Sequence, residues 1–173
     1  MKKQSAMRRL WALFSARKWF RASAERFEDG LAAYQHGDYA AALRLLRPLA
    51  GQGNPQAQAY LGFMYIEGRG VPQDDAEAVK WLRLSAEQGY AEAQSNLGVM
   101  YAEGQGVPQD LEQALKWFII GDALGEKEAK RGQDYATNLM RPDQIAEAQR
   151  MAREWMEKHQ RWRLRLEAAI NAP

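Results

Sequence analysis

The 173-residue chain contains no cysteine. Disulfide stapling, thiolate nucleophiles and cysteine-ligated metals are therefore excluded. Its two histidines, His36 and His159, are too few and too isolated to build a metal site alone. No apolar run is long enough to span a bilayer. With 46% hydrophobic and 27% charged residues, the composition suits one compact domain held together by packing.

A net charge of +2 conceals a lopsided distribution. Residues 1–21 carry Lys2, Lys3, Arg8, Arg9, Arg17, Lys18 and Arg21 and no acid, residues 22–149 sum to −8, and residues 150–173 to +3. An acidic body thus lies between two basic ends.

The chain also repeats itself. Residues 55–90 and 91–126 agree at 17 of 36 positions without a gap. A period of that length predicts a stacked helical solenoid, whose units bury their apolar faces only against neighbours. In the first helix of each unit, Ala57, Leu61, Met64 and Tyr65 recur as Ala93, Leu97, Met100 and Tyr101 at helical spacing, a core stripe. Gly62 and Gly98 beside it admit a second backbone at close range. The connections EGRGVPQD and EGQGVPQD end one helix and start the next: Gly68, Gly70, Gly104 and Gly106 permit positive φ, and Pro72 and Pro108 block continuation. Asp74 and Asp110 are N-caps, with Glu77 and Gln113 three residues on as in a capping box. The Gly-x-Gly pair is not a phosphate loop, because Gln73 and Gln109 replace its last glycine and no strand pattern precedes it. In the second helix Ala78, Trp81 and Leu82 recur as Ala114, Trp117 and Phe118, with Gly89 and Gly125 closing it. Large aromatics at one repeat position read as inter-repeat core rather than as ligand platforms.

The pattern A-x-A-Q-x-x-L-G-x-M-Y-x-E-G-x-G-V-P-Q-D, then A-x-K-W and a closing glycine, resembles the Sel1-like repeat, a relative of the tetratricopeptide repeat. Residues 25–54 look like a shortened first unit with a tetratricopeptide-like turn, and 127–158 like the closing helical pair of many bacterial members. The resemblance implies an all-α, right-handed α-solenoid of antiparallel helix pairs, with units at about 25–54, 55–90 and 91–126 and the closing pair at 127–158. Residues 1–24 would form a basic amphipathic segment and 159–173 a helix end or tail. Gly121 and Asp122 depart from the family pattern, standing opposite Ser85 and Ala86.

The resemblance further implies a non-enzymatic adaptor that holds a partner protein or peptide in a concave groove lined by the first helices. The groove candidates are Gln56, Ala59, Phe63 and Ile66, then Glu92, Ser95, Val99 and Ala102, with Arg131, Tyr135 and Asn138 from the closing pair. The shortened unit would add Glu25, Glu28, Ala32 and Gln35. No cofactor, metal, nucleic acid or small-molecule substrate is expected.

At the N-terminus, Met7, Leu10, Trp11 and Phe14 share one helical face while Arg8, Arg9, Arg17 and Lys18 lie largely elsewhere, the composition of an interfacial helix near anionic lipid. Arg8, Arg9, Trp11, Arg17 and Lys18 are accordingly candidate membrane or partner contacts in an alternative, membrane-tethered adaptor. Other readings of this segment are a secretory signal ending at Ala22-Ser23-Ala24, a solvated cap on the first helix, or a fold back within the same molecule over the apolar patch of Phe63, Ile66, Val99 and Tyr135, since solenoid ends need capping. The expected location is cytoplasmic or inner-membrane-associated, or periplasmic if residues 1–24 act as a signal. Ser15-Ala16-Arg17-Lys18 matches the S-x-x-K of serine acylases, but its S-D-N and K-T-G companions are missing and a hydrolase has no further residues to stand on.

Overall fold

In a computed structural model, residues 24–170 are described, with side chains as far as Gln160. The N-terminal contacts Arg8, Arg9, Trp11, Arg17 and Lys18, and the Ser15–Lys18 motif, lie outside the described residues. Every regular element among those described is an α-helix: α1 (24–35), α2 (Tyr39–Gly51), α3 (Pro55–Glu67), α4 (Asp75–Glu87), α5 (Ala91–Glu103), α6 (Leu111–Ala123), α7 (Lys127–Leu139) and α8 (Pro142–Ile170). Each helix packs on the next as far as α7, giving an α-solenoid in which α1, α3, α5 and α7 are first helices and α2, α4 and α6 second helices.

Local chemistry sets the boundaries. Asp74 and Asp110 accept from the backbone N–H groups of Glu77 and Gln113 at 2.9 and 3.0 Å. Each cap satisfies one orphan donor of its helix. The reciprocal half of a capping box is absent, because the Glu77 carboxylate pairs with Lys80 and the Gln113 amide donates to Met151. Gly68 and Gly104 stand in the left-handed region as helix C-caps. Gly70 and Gly106 have positive φ and a further duty, since a Cβ on Gly106 would lie 2.2 Å from the Asp75 carbonyl oxygen. Each connection thereby seats on the start of the preceding unit's second helix: Gly70 meets Tyr39 and Gly106 meets Asp75.

Within a unit the two helices close on a glycine. A Cβ on Gly30, Gly62 or Gly98 would come within 2.7–2.8 Å of Leu46, Leu82 or Phe118 respectively. Leu46, Leu61, Met64, Leu82, Leu97 and Phe118 are all buried. Each such side chain contributes roughly 1.5–3 kcal/mol of transfer free energy. Between units, buried glutamines take over. Gln58 and Gln94 donate to the Ala50 and Ala86 carbonyls at 3.1 and 3.0 Å, satisfying carbonyls at the ends of α2 and α4. Arg47 and Arg83 reach the hydroxyls of Tyr65 and Tyr101 in the same register.

This interlocking is complete at the α3–α4 unit and thins out at the next. The Gln58 carbonyl accepts from the Gln88 amide at 2.7 Å, and the Ser85 hydroxyl donates to the Pro55 carbonyl at 2.6 Å. Thirty-six residues on, Leu124 replaces Gln88 and Gly121 replaces Ser85, so the buried Gln94 Oε1 has no hydrogen-bond partner among the described residues.

Helix α8 does not simply repeat the second-helix position beside α7. It packs on α6 and reaches back to α4, laying Trp155 edge-on against Trp117 with ring centroids 5.9 Å apart. Trp155 also donates to the Glu87 carboxylate at 2.9 Å. His159 stacks on Trp155 and places Nε2 2.8 Å from the Glu87 carbonyl oxygen. Trp117 is consequently buried, whereas its counterpart Trp81 is only half-buried against the first unit.

Leu124→Gln is expected to raise stability by about 1 kcal/mol, as one hydrogen bond to a buried carbonyl is gained. Denaturant midpoints of the two proteins measure it, and an unchanged or lower midpoint would contradict the equivalence with Gln88. Gly106→Ala, which combines positive φ with a backbone clash, is expected to cost at least about 2 kcal/mol, against about 1 kcal/mol for Gly125→Ala, whose Cβ meets open space.

Candidate functional site

Equivalent residues of the first helices line up across the stack. The matching glycine contacts of Gly30, Gly62 and Gly98 put α1 32 residues out of step with α3, and α3, α5 and α7 follow at 36. Leu31, Phe63, Val99 and Tyr135 then share one register, Ala24, Gln56, Glu92 and Glu128 a second, and Gln35, Glu67, Glu103 and Leu139 a third. These three rows form the inner face. Exposure along the central row rises away from α1: Phe63 is half-buried, Val99 is 38% and Tyr135 52% exposed.

The groove residues expected from sequence divide in two. Gln56, Phe63, Glu92, Val99 and Tyr135 stand on the inner face, half-buried or exposed. Ala59, Ser95 and Ala102 are buried, at 0%, 6% and 3% exposure, and are corrected from groove lining to inter-unit packing. Ile66 packs against the same core as Ala59. Arg131 and Asn138 share the register of these packing positions and are exposed on α7, where no further first helix follows among the described residues. The physical reason is azimuth: a stripe through 56, 59, 63 and 66 leans toward the following unit, whereas 56, 60, 63 and 67 remain on the open face. In the first unit, Glu25, Glu28, Ala32 and Gln35 are exposed.

Sequence reasoning missed Tyr60 and Glu67. Tyr60 joins an aromatic cluster, edge-on to Phe27, Tyr34 and Phe63 at centroid distances of 6.0, 5.3 and 5.6 Å. The Tyr34 hydroxyl donates to the Glu67 carboxylate at 2.6 Å, tying α1 to α3 at the rim. Their signal was available in the 36-residue register combined with i+4 and i+11 spacing from Gln56.

The face is electrostatically one-sided. Glu28, Glu67, Glu92, Glu103 and Glu128 stand in its rows or beside them, with no cation in those rows. Glu67 and Glu128 pair with Arg69 and Arg131 at its edges. Burial, then the Glu67 carboxylate, pushes the Tyr34 phenol up to about 12. Burial also raises Tyr60 and Tyr90, reinforced in both by the Glu92 charge. Among the described residues there is no group of His, Asp and Glu able to hold a metal ion and no helix long and apolar enough to cross a membrane.

The fold and its open face define a helical-repeat α-solenoid. The family model for the Sel1 repeat matches residues 55–90 and 91–121. A Sel1 repeat protein from Oxalobacter formigenes is similar at 36% identity and a TM-score of 0.59, over 65% of this chain and 87% of that one. This chain belongs to the Sel1 repeat family. A protective antigen of uropathogenic Escherichia coli strains, displaying an SLR fold, is similar at 26% identity and a TM-score of 0.75 over 79% of this chain. This chain spans 30% of that antigen's length. Comparison with curated proteins gave no match. Sel1 repeats generally bind other proteins, and proteins built from them are generally non-enzymatic scaffolds.

Because the folded Tyr34 phenol ionises above its ordinary value near 10, its contribution to stability is fully present below pH 10 and is lost as the pH rises through about 12. The melting temperature should therefore fall over that interval, and less steeply in Tyr34→Phe than in wild type. Parallel slopes in the two proteins would refute a role for the Tyr34–Glu67 bond.

Proposed function

We propose that this chain is a non-enzymatic adaptor that docks a segment of a partner protein on the inner face of its first helices. The observation carrying this reading is the row of Phe63, Val99 and Tyr135, apolar side chains aligned on three successive helices and increasingly exposed. A scattered apolar residue on a surface needs no explanation, whereas an aligned row rimmed by polar residues marks a contact surface. Solenoids use such extended faces for recognition, and membership of a family whose repeats generally bind proteins supports the same assignment.

Val99 and Tyr135 are the residues to change, because Phe63 is half-buried and packs on the core. Val99→Asp and Tyr135→Asp should each weaken binding at least about tenfold, the effect of losing one well-packed contact of about 1.4 kcal/mol. Leu84→Asp, at an exposed position on the second helix α4, should leave it unchanged. Affinity capture from native extract compares the variants after their helicity is matched. Identical capture by wild type, Val99→Asp and Tyr135→Asp would overturn the assignment.

A further inference from the structure

We infer that the inner face is also the binding site of this chain's own N-terminal segment, residues 1–21, which occupies it in competition with a partner. The inference rests on the inner face being the docking surface proposed above. Three properties of that face converge on this occupant.

The first is charge. The rows and margins of the face carry five glutamates against two cations at its edges, Arg69 and Arg131, while residues 1–21 carry seven cations and no acid. Opposed surfaces of this kind steer a mobile partner into register and disfavour like-charged ones. The second is the apolar pattern. Met7, Leu10, Trp11 and Phe14 recur at i, i+3, i+4 and i+7, the arrangement by which an amphipathic helix lays one face into an apolar groove. The complementary row is Leu31, Phe63, Val99 and Tyr135.

The third is reach. Residues 1–21 join the body at α1, whose first described residue, Ala24, shares a register with Gln56 and Glu92 on this face. As a helix, 21 residues extend about 32 Å. Four first helices spaced 8–10 Å apart present a row roughly 24–30 Å long. The segment is therefore long enough to run from α1 along the row to Tyr135, where exposure is greatest. Tethering converts even weak affinity into occupancy, because a short connection supplies an effective concentration on the order of millimolar. An incoming partner would then have to displace the segment.

The absence of native cysteine makes a direct test possible on the full chain. A nitroxide is attached through Ala16→Cys, opposite the Met7–Phe14 face, and the backbone amide signals are read for paramagnetic broadening. Docking predicts selective broadening on the inner face, at Val99, Glu103 and Tyr135, with Leu84 and Gln88 of the second-helix side remaining sharp. Broadening should be relieved at high salt, where exposed charges are screened. It should also be relieved by the double charge reversal Glu92→Lys and Glu103→Lys. Isotope-labelled chain mixed with nitroxide-bearing unlabelled chain should show no broadening, since the contact is within one molecule.

Sharp inner-face signals, broadening without preference for that face, broadening unmoved by charge reversal, or broadening transferred to the mixed sample would each overturn the proposal. The last would assign the segment to a second copy. If the inner face stays sharp while Val99→Asp still loses its captured protein, intramolecular docking fails and the adaptor reading stands. If the inner face broadens while Val99→Asp captures the same proteins as wild type, the face serves only the chain's own segment and the adaptor reading fails.

Discussion

The stack depends on how closely the two helices of each unit approach at Gly30, Gly62 and Gly98. A methyl group there would stand 2.7–2.8 Å from Leu46, Leu82 or Phe118, well inside van der Waals contact, so either helix would have to move outward. Close approach lets Leu61 and Leu97 be buried completely with few atoms between the helices. It also brings the end of one unit within reach of the next, where Gln58 and Gln94 bond the last carbonyls of α2 and α4. Glycine in a helix costs about 1 kcal/mol in propensity, which several buried leucines at the same interface outweigh.

Repetition ends through the loss of particular partners. Tyr101 completes the second Arg–Tyr bond, but Ile119 and Thr137 stand where a third would form. Lys130 occupies the register of Gln94 and turns outward to Asp134. Helix α8 compensates by covering α6 and tying itself to the end of α4 through Trp155 and His159. Its position is consistent with the need of any solenoid to close its last apolar face. The outer side near α6 is thereby occupied by α8, while the inner face of α3, α5 and α7 keeps Val99 and Tyr135 in solvent. That open surface varies from unit to unit along its central row. Phe63, Val99 and Tyr135 differ at one register while Leu61 and Leu97 do not.

Much of this was legible from residues alone. The helix pairs, the Asp74 and Asp110 caps, the positive-φ glycines and the core positions Leu61, Met64, Leu97 and Met100 all follow from chemistry within one or two turns of chain. Half of the inner face was legible for the same reason, since Phe63 and Val99 lie opposite the core stripe. Ala59, Ser95 and Ala102 were misplaced because helical periodicity fixes an azimuth relative to a helix's own core and carries no information about the neighbour on its flank. The unpartnered Gln94 Oε1 was equally hidden, since its cause, Leu124, lies thirty residues away.

The sequence by itself determined the repeat, its period, its helix ends and the charge division between a basic N-terminal segment and an acidic body. Those features rest on local backbone chemistry and composition, which need no knowledge of packing. Only the tertiary structure decided which flank of each first helix is buried against the next unit, that α8 folds back over α6 rather than beside α7, and that Tyr60 and Glu67 join the apolar row on one surface. Those are properties of distances between helices, set by the glycine contacts and by the end of the stack, and no single helix encodes them.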